Sequence, residues 1–313
     1  MAAAAKMRLQ QPSNALLPRF RRFPMSDERK LDNANFVFFG GTAGIGQAAA
    51  TEIARRHANV LVVGRDGAAG SETVSRLRQA GAHSADFLRG DLSTVAGVKA
   101  TADGVLAWKP GLHGVLHTAM SAHGGKHLTS DGLEFTFALQ YLARAIMNRL
   151  LVEALSVSGD GRVIHISGSV GEKQLPDLDD LQYERSKWSF FKSALGSHAL
   201  SFLHIQEATR LWVERPVALT AVCVGPTKTK AMLDPMMPLI MRFLGLIGTK
   251  PEMSARNAVT ALVKSSARDI KGTVLRKPKA WTPEPLAFDP VKATKLWEIT
   301  TSLAADHGVE LNR

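Results

Sequence analysis

The chain has 313 residues, of which 45% are apolar and 21% charged, and it contains a single cysteine. This length and apolar content are enough for one large domain with a buried core, and one cysteine excludes an intrachain disulfide, as is typical of a reducing compartment. The net charge of +11 does not predict a nucleic-acid partner, because the basic residues are concentrated at the amino terminus and form no stripe interleaved with aromatics.

Residues 1–30 form a basic extension, with seven Lys or Arg and two acids, which we expect to be disordered. The absence of acids from residues 1–26 resembles the composition of a mitochondrial presequence; the alternatives are a simple extension or translation from Met25. We therefore expect a cytoplasmic protein, or a mitochondrial one if residues 1–24 act as a presequence. No run of 18 apolar residues predicts a membrane-spanning helix.

Short apolar runs alternate with longer amphipathic stretches along the chain. We predict strands near residues 35–39, 59–63, 85–88, 111–118, 162–166, 217–224 and 273–275. Helices are expected between them, at residues 44–56, 69–79 and 130–155 among others. This alternation predicts an α/β fold of the Rossmann type, a doubly wound, mostly parallel seven-stranded sheet with helices on both faces. We place this domain at residues 31–280, followed by a tail or helix at residues 281–313.

The first strand runs into the glycine-rich sequence Phe-Gly-Gly-Thr-Ala-Gly-Ile-Gly at residues 39–46. Glycines allow a backbone to approach a pyrophosphate without a clash at Cβ. The amino terminus of the next helix offers unpaired N–H groups and a partial positive charge. We therefore predict a dinucleotide site here, with a tight structural turn as the alternative. The predicted contacts are Gly40, Thr42, Gly44, Ile45 and Gly46.

The residues after the second strand indicate which nicotinamide cofactor is bound. An acid at the end of this strand would accept hydrogen bonds from the ribose of NAD. Gly64 occupies that place, and the adjacent Arg65 could clamp the 2′-phosphate of NADP with its planar guanidinium group. We predict NADP, with NAD as the alternative; Arg65 could instead pair with Asp66 or stack on adenine.

Tyr183 and Lys187 are four residues apart, so on a helix they would share one face. A nearby ammonium and an oxidised nicotinamide would lower the pKa of the phenol from about 10 towards neutrality, which would make it a usable acid and base. We predict hydride transfer between the nicotinamide and a carbonyl carbon, with Tyr183 moving the proton of the oxygen. Lys187 would also bind the ribose. The alternative is a Tyr and a Lys on the surface of an amphipathic helix.

The glycine-rich turn and the Tyr-x-x-x-Lys spacing, about 140 residues apart, resemble the short-chain dehydrogenase/reductase family over residues 33–280. Residues 129–134 and 141–142 are similar to retinol-dehydrogenase-like members. The resemblance implies an NAD(P)-dependent oxidoreductase. It also implies that the cofactor is contacted in three places: at its adenine, by the loop after the fourth strand, and by a segment that covers the nicotinamide. These contacts fall on Asp91, Leu92, Ala119, Gly225 and Thr229.

Several positions depart from the family pattern. The active-site asparagine falls on Gln140, whose backbone carbonyl could still hold a water. The catalytic serine position falls on Gly168, and a one-residue bulge would bring Ser169 into place, with Ser167 as the alternative. The stretch from Tyr183 to Val217 is also several residues longer than usual. These departures leave open a dinucleotide-binding protein of the same fold with altered chemistry, acting as a sensor or scaffold.

Residues 232–247 are apolar and rich in methionine, a side chain that adapts to irregular ligands. We predict a mobile lid over a lipophilic ketone, aldehyde or alcohol; a segment that touches a membrane and simple core packing are the alternatives. The sequence leaves open whether the chain forms a homo-oligomer.

We expect no metal site. His113 and His117 would lie about 13 Å apart on a strand, and His123 and His127 have no acidic or cysteine ligand nearby. Cys223 lies in an apolar run, where a thiol behaves as a small buried side chain.

Overall fold

The computed structural model describes residues 31–121, 123–263 and 266–311, so the predicted extension at residues 1–30 lies outside it. Eight strands form one sheet, in the order β3-β2-β1-β4-β5-β6-β7-β8. The strands are β1 (Asn35–Phe39), β2 (Asn59–Gly64), β3 (Ser84–Arg89), β4 (Gly114–His117), β5 (Gly161–Ser167), β6 (Val217–Cys223), β7 (Thr273–Leu275) and β8 (Pro283–Pro285). The first seven are parallel, which confirms the predicted Rossmann-type architecture.

The eighth strand was not predicted. β8 pairs antiparallel with β7 at the edge of the sheet. Its sequence Pro-Glu-Pro has no apolar run, and two of its three residues lack a backbone N–H. Proline is accepted at a sheet edge, where one side of the strand needs no donor, so the strand forms without the usual sequence signal.

Helices cover both faces of the sheet. They are α1 (Gly44–Ala54), α2 (Gly67–Gln79), α3 (Val95–Trp108), α4 (Phe135–Phe137), α5 (Ala143–Val157), α6 (Phe190–Leu211), α7 (Leu239–Leu246), α8 (Pro251–Val263) and α9 (Pro290–Asp306). One π-helical turn (Ala138–Leu142) joins α4 to α5, so the predicted helix at residues 130–155 begins five residues later and is interrupted. No helix in the described part of the chain is both long and apolar enough to cross a bilayer.

Alternate residues of the central strands enter two separate apolar cores. In β1, Val37 and Phe39 pack in the core beneath α3, α5, α6 and α9, whereas Phe36 and Phe38 pack in the core beneath α1 and α8. All four side chains are fully buried. A strand covered on both faces needs a continuous apolar run instead of an alternating one, which is why β1 could be recognised from its sequence.

The strand order places the loops of the site side by side. β1 lies between β2 and β4. β2 and β3 lie on one side of β1, and β4 and the later strands lie on the other side. In such sheets a crevice forms outside the carboxyl ends of the strands, where the order reverses. The glycine-rich turn after β1 and the loop after β4 meet at this crevice, since Thr118 and Ala119 both donate their backbone N–H to the Phe39 carbonyl at 2.9 Å.

Candidate active site

A cavity of about 510 Å³ opens at the carboxyl edge of the sheet. This volume lies within the range typical of small-molecule and cofactor sites. Its walls are the glycine-rich turn, the loops after β2, β3, β4, β5 and β6, residues of α4 and the π-helical turn, and parts of α6 and α7. Every predicted cofactor contact except Tyr183 and Lys187 lines it: Gly40, Thr42, Gly44, Ile45, Gly46, Arg65, Asp91, Leu92, Ala119, Gly225 and Thr229.

The glycine-rich turn has no room for side chains at three positions, Gly40, Gly41 and Gly46. Gly40 has a φ of 82°, and a Cβ placed there would lie 2.6 Å from the backbone nitrogen of Ala119. A Cβ at Gly46 would collide with the Gly40 carbonyl and the Thr118 hydroxyl. These glycines therefore let the turn pack closely against itself and against the loop after β4.

The amino terminus of α1 also fits an anion. No side chain caps this helix at Ala43, and Gly44, Ile45 and Gly46 in its first turn line the cavity. The N–H groups of a first helical turn have no partner within the helix, and the helix dipole adds a partial positive charge. The residues present therefore fit the pyrophosphate of a dinucleotide.

The end of β2 carries no acid and places an arginine at the cavity. A Cβ at Gly64 would lie 2.9 Å from the side chain of Thr42, so no acid can be accommodated there without a shift. Arg65 is exposed and lines the cavity. The Asp66 carboxylate is engaged as the cap of α2, accepting from the N–H groups of Ala68 at 2.9 Å and Ala69 at 3.2 Å.

Tyr183 and Lys187 do not share a helix face, and the prediction that they do is wrong. α6 begins only at Phe190, and Tyr183 has a φ of 53°, in the left-handed region. The phenolic oxygen lies on the flank of α6, 3.6 Å from a Cβ placed at Gly196, and Lys187 is exposed. Neither side chain lines the cavity.

A carboxylate holds the segment after Tyr183 in a turn. Asp180 accepts hydrogen bonds from the backbone N–H groups of Glu184 at 2.7 Å, Arg185 at 3.1 Å and Ser186 at 2.8 Å. Side chains of this kind compete with the helical backbone for its donors. Helix α6 then starts at a new cap, Ser189, whose hydroxyl accepts from the Lys192 N–H.

The surroundings of Tyr183 raise the pKa of its phenol, whereas the sequence predicted that Lys187 would lower it. Burial, followed by the carboxylates of Glu134 and Asp180, raises the pKa of its phenol well above the usual value. Nearby negative charge disfavours a second negative charge on the phenolate. The phenol therefore stays protonated at neutral pH, instead of being tuned towards neutrality by Lys187.

Helix α6 presents a different polar group to the cavity. His198 lines it and is only 6% exposed, and its Nδ1 has no hydrogen-bond partner within the described residues. Its ring packs over the backbone of Gly168, where a Cβ would lie 3.3 Å from Cδ2. Burial, with a contribution from the positive charge of Arg144, lowers the pKa of His198 to about 3, so the imidazole is neutral. The other α6 residues at the cavity are Phe190, Phe191, Ala194 and Leu195.

His198 was not found from the sequence, although one signal pointed to it. The stretch from Tyr183 to Val217 is longer than in the family, and the structure accounts for the extra length with the turn held by Asp180. The part of α6 that faces the cavity therefore lies farther along the chain than the Tyr-x-x-x-Lys spacing indicated.

The serine at the end of β5 is Ser167 and not Ser169. β5 and β6 pair in unbroken register as far as Ser167 and Cys223, so no bulge precedes Ser167. Ser167 and Gly168 line the cavity. The Ser167 hydroxyl donates to the Gly168 carbonyl at 3.0 Å. Ser169 is exposed and contacts the thiol of Cys223, whose pKa burial raises to about 11.

Gln140 lies at the cavity in the π-helical turn, a geometry often found at functional sites. Its amide nitrogen donates to the Ser121 carbonyl at 3.0 Å, while its amide oxygen is buried without a partner within the described residues. Its backbone carbonyl accepts from the Ser201 hydroxyl at 3.4 Å. The Gln140 carbonyl is thus already engaged with a neighbouring helix.

Behind the cavity, an amide joins three buried imidazoles. Asn148 accepts at Oδ1 from His117, 2.8 Å away, and its Nδ2 lies 2.9 Å from His165 and 3.2 Å from His204. Arg144 lies between this group and the cavity and donates to the Ile166 carbonyl at 2.8 Å. These hydrogen bonds hold β4 and β5 against α5 and α6. They therefore stabilise the strands whose carboxyl ends lead to the cavity.

Comparison with known proteins agrees with this geometry. The model of the short chain dehydrogenase family matches residues 35–234, well over half of the chain. Mouse retinol dehydrogenase 14 is 25% identical over 280 residues, which cover 83% of each protein. Mouse polyprenol dehydrogenase is 28% identical over 271 residues, covering 83% of this chain and 81% of the relative. An oxidoreductase of Emericella nidulans is 29% identical over 182 residues, and the match spans 55% of its length.

Solved structures share the fold. A 3-oxoacyl (acyl-carrier-protein) reductase from Agrobacterium tumefaciens, with NADP bound, matches 78% of this chain and 93% of its own, with a TM-score of 0.61 and 20% identity. A short chain dehydrogenase from Salmonella enterica matches 81% and 98%, with a TM-score of 0.62 and 20% identity. With the sequence motifs, the fold and the family match in agreement, the chain belongs to the short-chain dehydrogenase family of NAD(P)-dependent oxidoreductases.

Proposed function

We propose that the protein binds NADP(H) and moves hydride between its nicotinamide and a lipophilic ketone, aldehyde or alcohol. The observation that carries this proposal is one continuous cavity with two unlike ends. One end holds the glycine-rich turn and Arg65, and the other is walled by apolar side chains. These are Phe135, Leu139, Phe190, Phe191, Leu195, Met237 and Met241.

Three groups would hold the cofactor. The first turn of α1 would bind the pyrophosphate, Asp91 and Leu92 would border the adenine, and Arg65 would clamp the 2′-phosphate. The Asp91 carboxylate is fixed by the backbone N–H and hydroxyl of Ser93 at 2.9 and 2.8 Å. The NADP bound to the structurally similar reductase of Agrobacterium tumefaciens supports the choice of cofactor.

Replacing Arg65 with alanine should weaken the binding of NADPH far more than that of NADH. Loss of a hydrogen-bonded charge pair costs about 1.5–3 kcal/mol, or roughly 10- to 150-fold in affinity. Fluorescence titration with each cofactor measures the difference. Arg55→Ala, which removes an exposed arginine from the far end of α1, is the control. An equal loss for both cofactors would exclude a clamp on the 2′-phosphate.

The chemistry would fall to the polar groups at the end of β5 and on α6. When bound, the reduced cofactor would supply the hydride. The Ser167 hydroxyl and the His198 imidazole would orient the substrate oxygen and stabilise the negative charge that develops on it, as preorganised donors do in oxyanion holes. A neutral imidazole can fill this role because one of its two ring nitrogens carries an N–H that can donate a hydrogen bond. The proton that completes the alcohol would come from water.

The apolar wall supports a lipophilic substrate. Met237 is buried, Met241 is half-buried, and both line the cavity from the predicted lid segment. The relatives named retinol and polyprenol dehydrogenases act, by their names, on long apolar alcohols. A panel of aliphatic and aromatic ketones and alcohols, followed by the absorbance of the reduced cofactor, tests this assignment.

The position of Tyr183 also supports a second candidate, a cofactor-binding protein that acts as a sensor or scaffold. Neither a phenol nor an ammonium lines the cavity, although the sequence predicted both there. For such a protein we expect tight binding of NADPH and no turnover of any ketone or alcohol in the panel.

A further inference from the structure

Helix α7 exposes one apolar face to solvent. The side chains of Leu239, Ile240, Phe243, Leu246 and Ile247 are 57–78% exposed, and we call these five residues the α7 surface. They fall at successive turns of the helix, on the same side. The opposite side faces the protein: Met241 lines the cavity, and a Cβ at Gly245 would lie 2.9 Å from the Met232 side chain. The exposure therefore belongs to an ordered amphipathic helix.

The charged residues around the α7 surface along the chain are mostly basic, four against the two acids Asp234 and Glu252. No acid occurs between Pro235 and Thr249. Lys228, Lys230 and Lys250 are exposed at its edges, and Arg242 is half-buried within the helix. Asp234 and Glu252, just outside the segment, are the nearest acids along the chain. An apolar face bordered by Lys and Arg fits a surface that is apolar inside and negatively charged outside.

Two features disfavour a second copy of the chain as the occupant. α7 has eight residues and is therefore about 12 Å long, whereas a stable interface takes about 800 Å² and 20–30 residues from each partner. Two copies that met through this surface would also bring their lysines together. A lipid bilayer needs no such area from the protein, because a short amphipathic helix can bury its apolar side chains at the headgroup boundary.

We propose that the α7 surface docks on an anionic lipid bilayer. The five apolar side chains enter the headgroup boundary, and Lys228, Lys230, Arg242 and Lys250 contact the acidic lipids. Since Met237 and Met241 line the cavity from the same segment, docking brings the apolar end of the cavity next to the lipid. The docking does not depend on the proposed chemistry, and binding can be measured without any substrate.

Sedimentation with lipid vesicles tests the docking. The full chain is mixed with vesicles of phosphatidylcholine alone or with about 30% phosphatidylserine. Wild type should bind the mixed vesicles, and the Leu239→Gln/Ile240→Gln/Phe243→Gln variant should lose at least about tenfold in partitioning. Since residues 1–30 carry seven basic residues, all proteins compared keep them. Lys228→Glu/Lys250→Glu should remove the preference for phosphatidylserine.

The matched control is Val157→Gln/Val213→Gln/Val291→Gln, because these valines are 64–74% exposed but lie on other elements. It should bind vesicles like wild type. Unchanged NADPH affinity and melting temperature show that each variant is folded. The proposal is overturned if wild type does not sediment with vesicles or if the α7 variant sediments equally well. It is also overturned if light scattering shows wild-type dimers that the α7 changes convert to monomers.

Discussion

The His198→Ala variant should lose about 10²–10³-fold in kcat on a ketone substrate, the cost of removing one donor from an oxyanion site. NADPH affinity should stay within a few-fold, since the predicted cofactor contacts are left in place. The reason lies in the position of the imidazole, which is buried, neutral and turned to the cavity beside Gly168. Steady-state kinetics with a substrate from the panel measure the loss.

Tyr183→Phe is the control for this prediction. It removes the hydroxyl that the sequence pattern placed in the reaction, and the structure places that hydroxyl on the flank of α6. Its kcat should stay within a few-fold of wild type. The opposite pair of results, an inactive Tyr183→Phe and an active His198→Ala, would mean that residues 183–187 reach the substrate during turnover.

The protein should lose stability steeply as the pH falls below about 6.5. Burial, together with the charges of Arg144 and Arg149, lowers the pKa of His117, His198 and His204 to about 3. Burial also lowers the pKa of His165 well below its usual value. Below pH 6.5 the unfolded chain takes up protons at these histidines, whereas the folded chain does not. The stability that the neutral histidines contribute is therefore complete above pH 6.5 and is lost as the pH falls towards about 3.

The size of this effect follows from linkage. One histidine that binds a proton only in the unfolded state changes the free energy of unfolding by about 1.4 kcal/mol per pH unit. Four such groups give roughly 5–6 kcal/mol per unit, which is comparable to the whole stability of a typical domain. We therefore expect acid unfolding near pH 5, above the range in which carboxylates become protonated.

Urea denaturation at about pH 7.5, 6.5 and 5.5 measures this slope. His204→Phe provides a matched variant, because a phenyl ring can keep the stacking that His204 makes on Trp297. It should reduce the slope by about one quarter, since one of the four titrating groups is gone. A free energy of unfolding that stays constant over this pH range would show that these imidazoles accept protons in the folded protein.

The features that could be predicted from the sequence depend on residues close together in the chain. The glycine-rich turn and the first turn of α1 adjoin along the chain, and the buried strands carry their own apolar runs. The cofactor end of the cavity follows from these local signals and from the rule that loops meet at the carboxyl edge of a parallel sheet. Arg65 was predicted for the same reason.

The features that were missed depend on contacts between distant residues, or on which of several nearby residues caps a helix. A Tyr-x-x-x-Lys spacing cannot reveal that Asp180 holds the next residues in a turn and that Ser189 caps the helix instead. The position of Ser167 at the cavity depends on the register between β5 and β6, which joins residues more than 50 positions apart. The composition of residues 232–247 predicted an apolar segment, but not that six of its large apolar side chains are exposed to solvent.

The most direct test of the central claim follows a labelled hydride. The Tyr183→Phe variant is given NADPH that carries deuterium at nicotinamide C4 on either face, together with ketones from the panel, and the products are examined by mass spectrometry. We expect an alcohol with deuterium on the former carbonyl carbon, as with wild type. It would be contradicted if the wild-type protein bound NADPH tightly but formed no labelled alcohol from any ketone, or if the label transferred by wild type were lost in Tyr183→Phe.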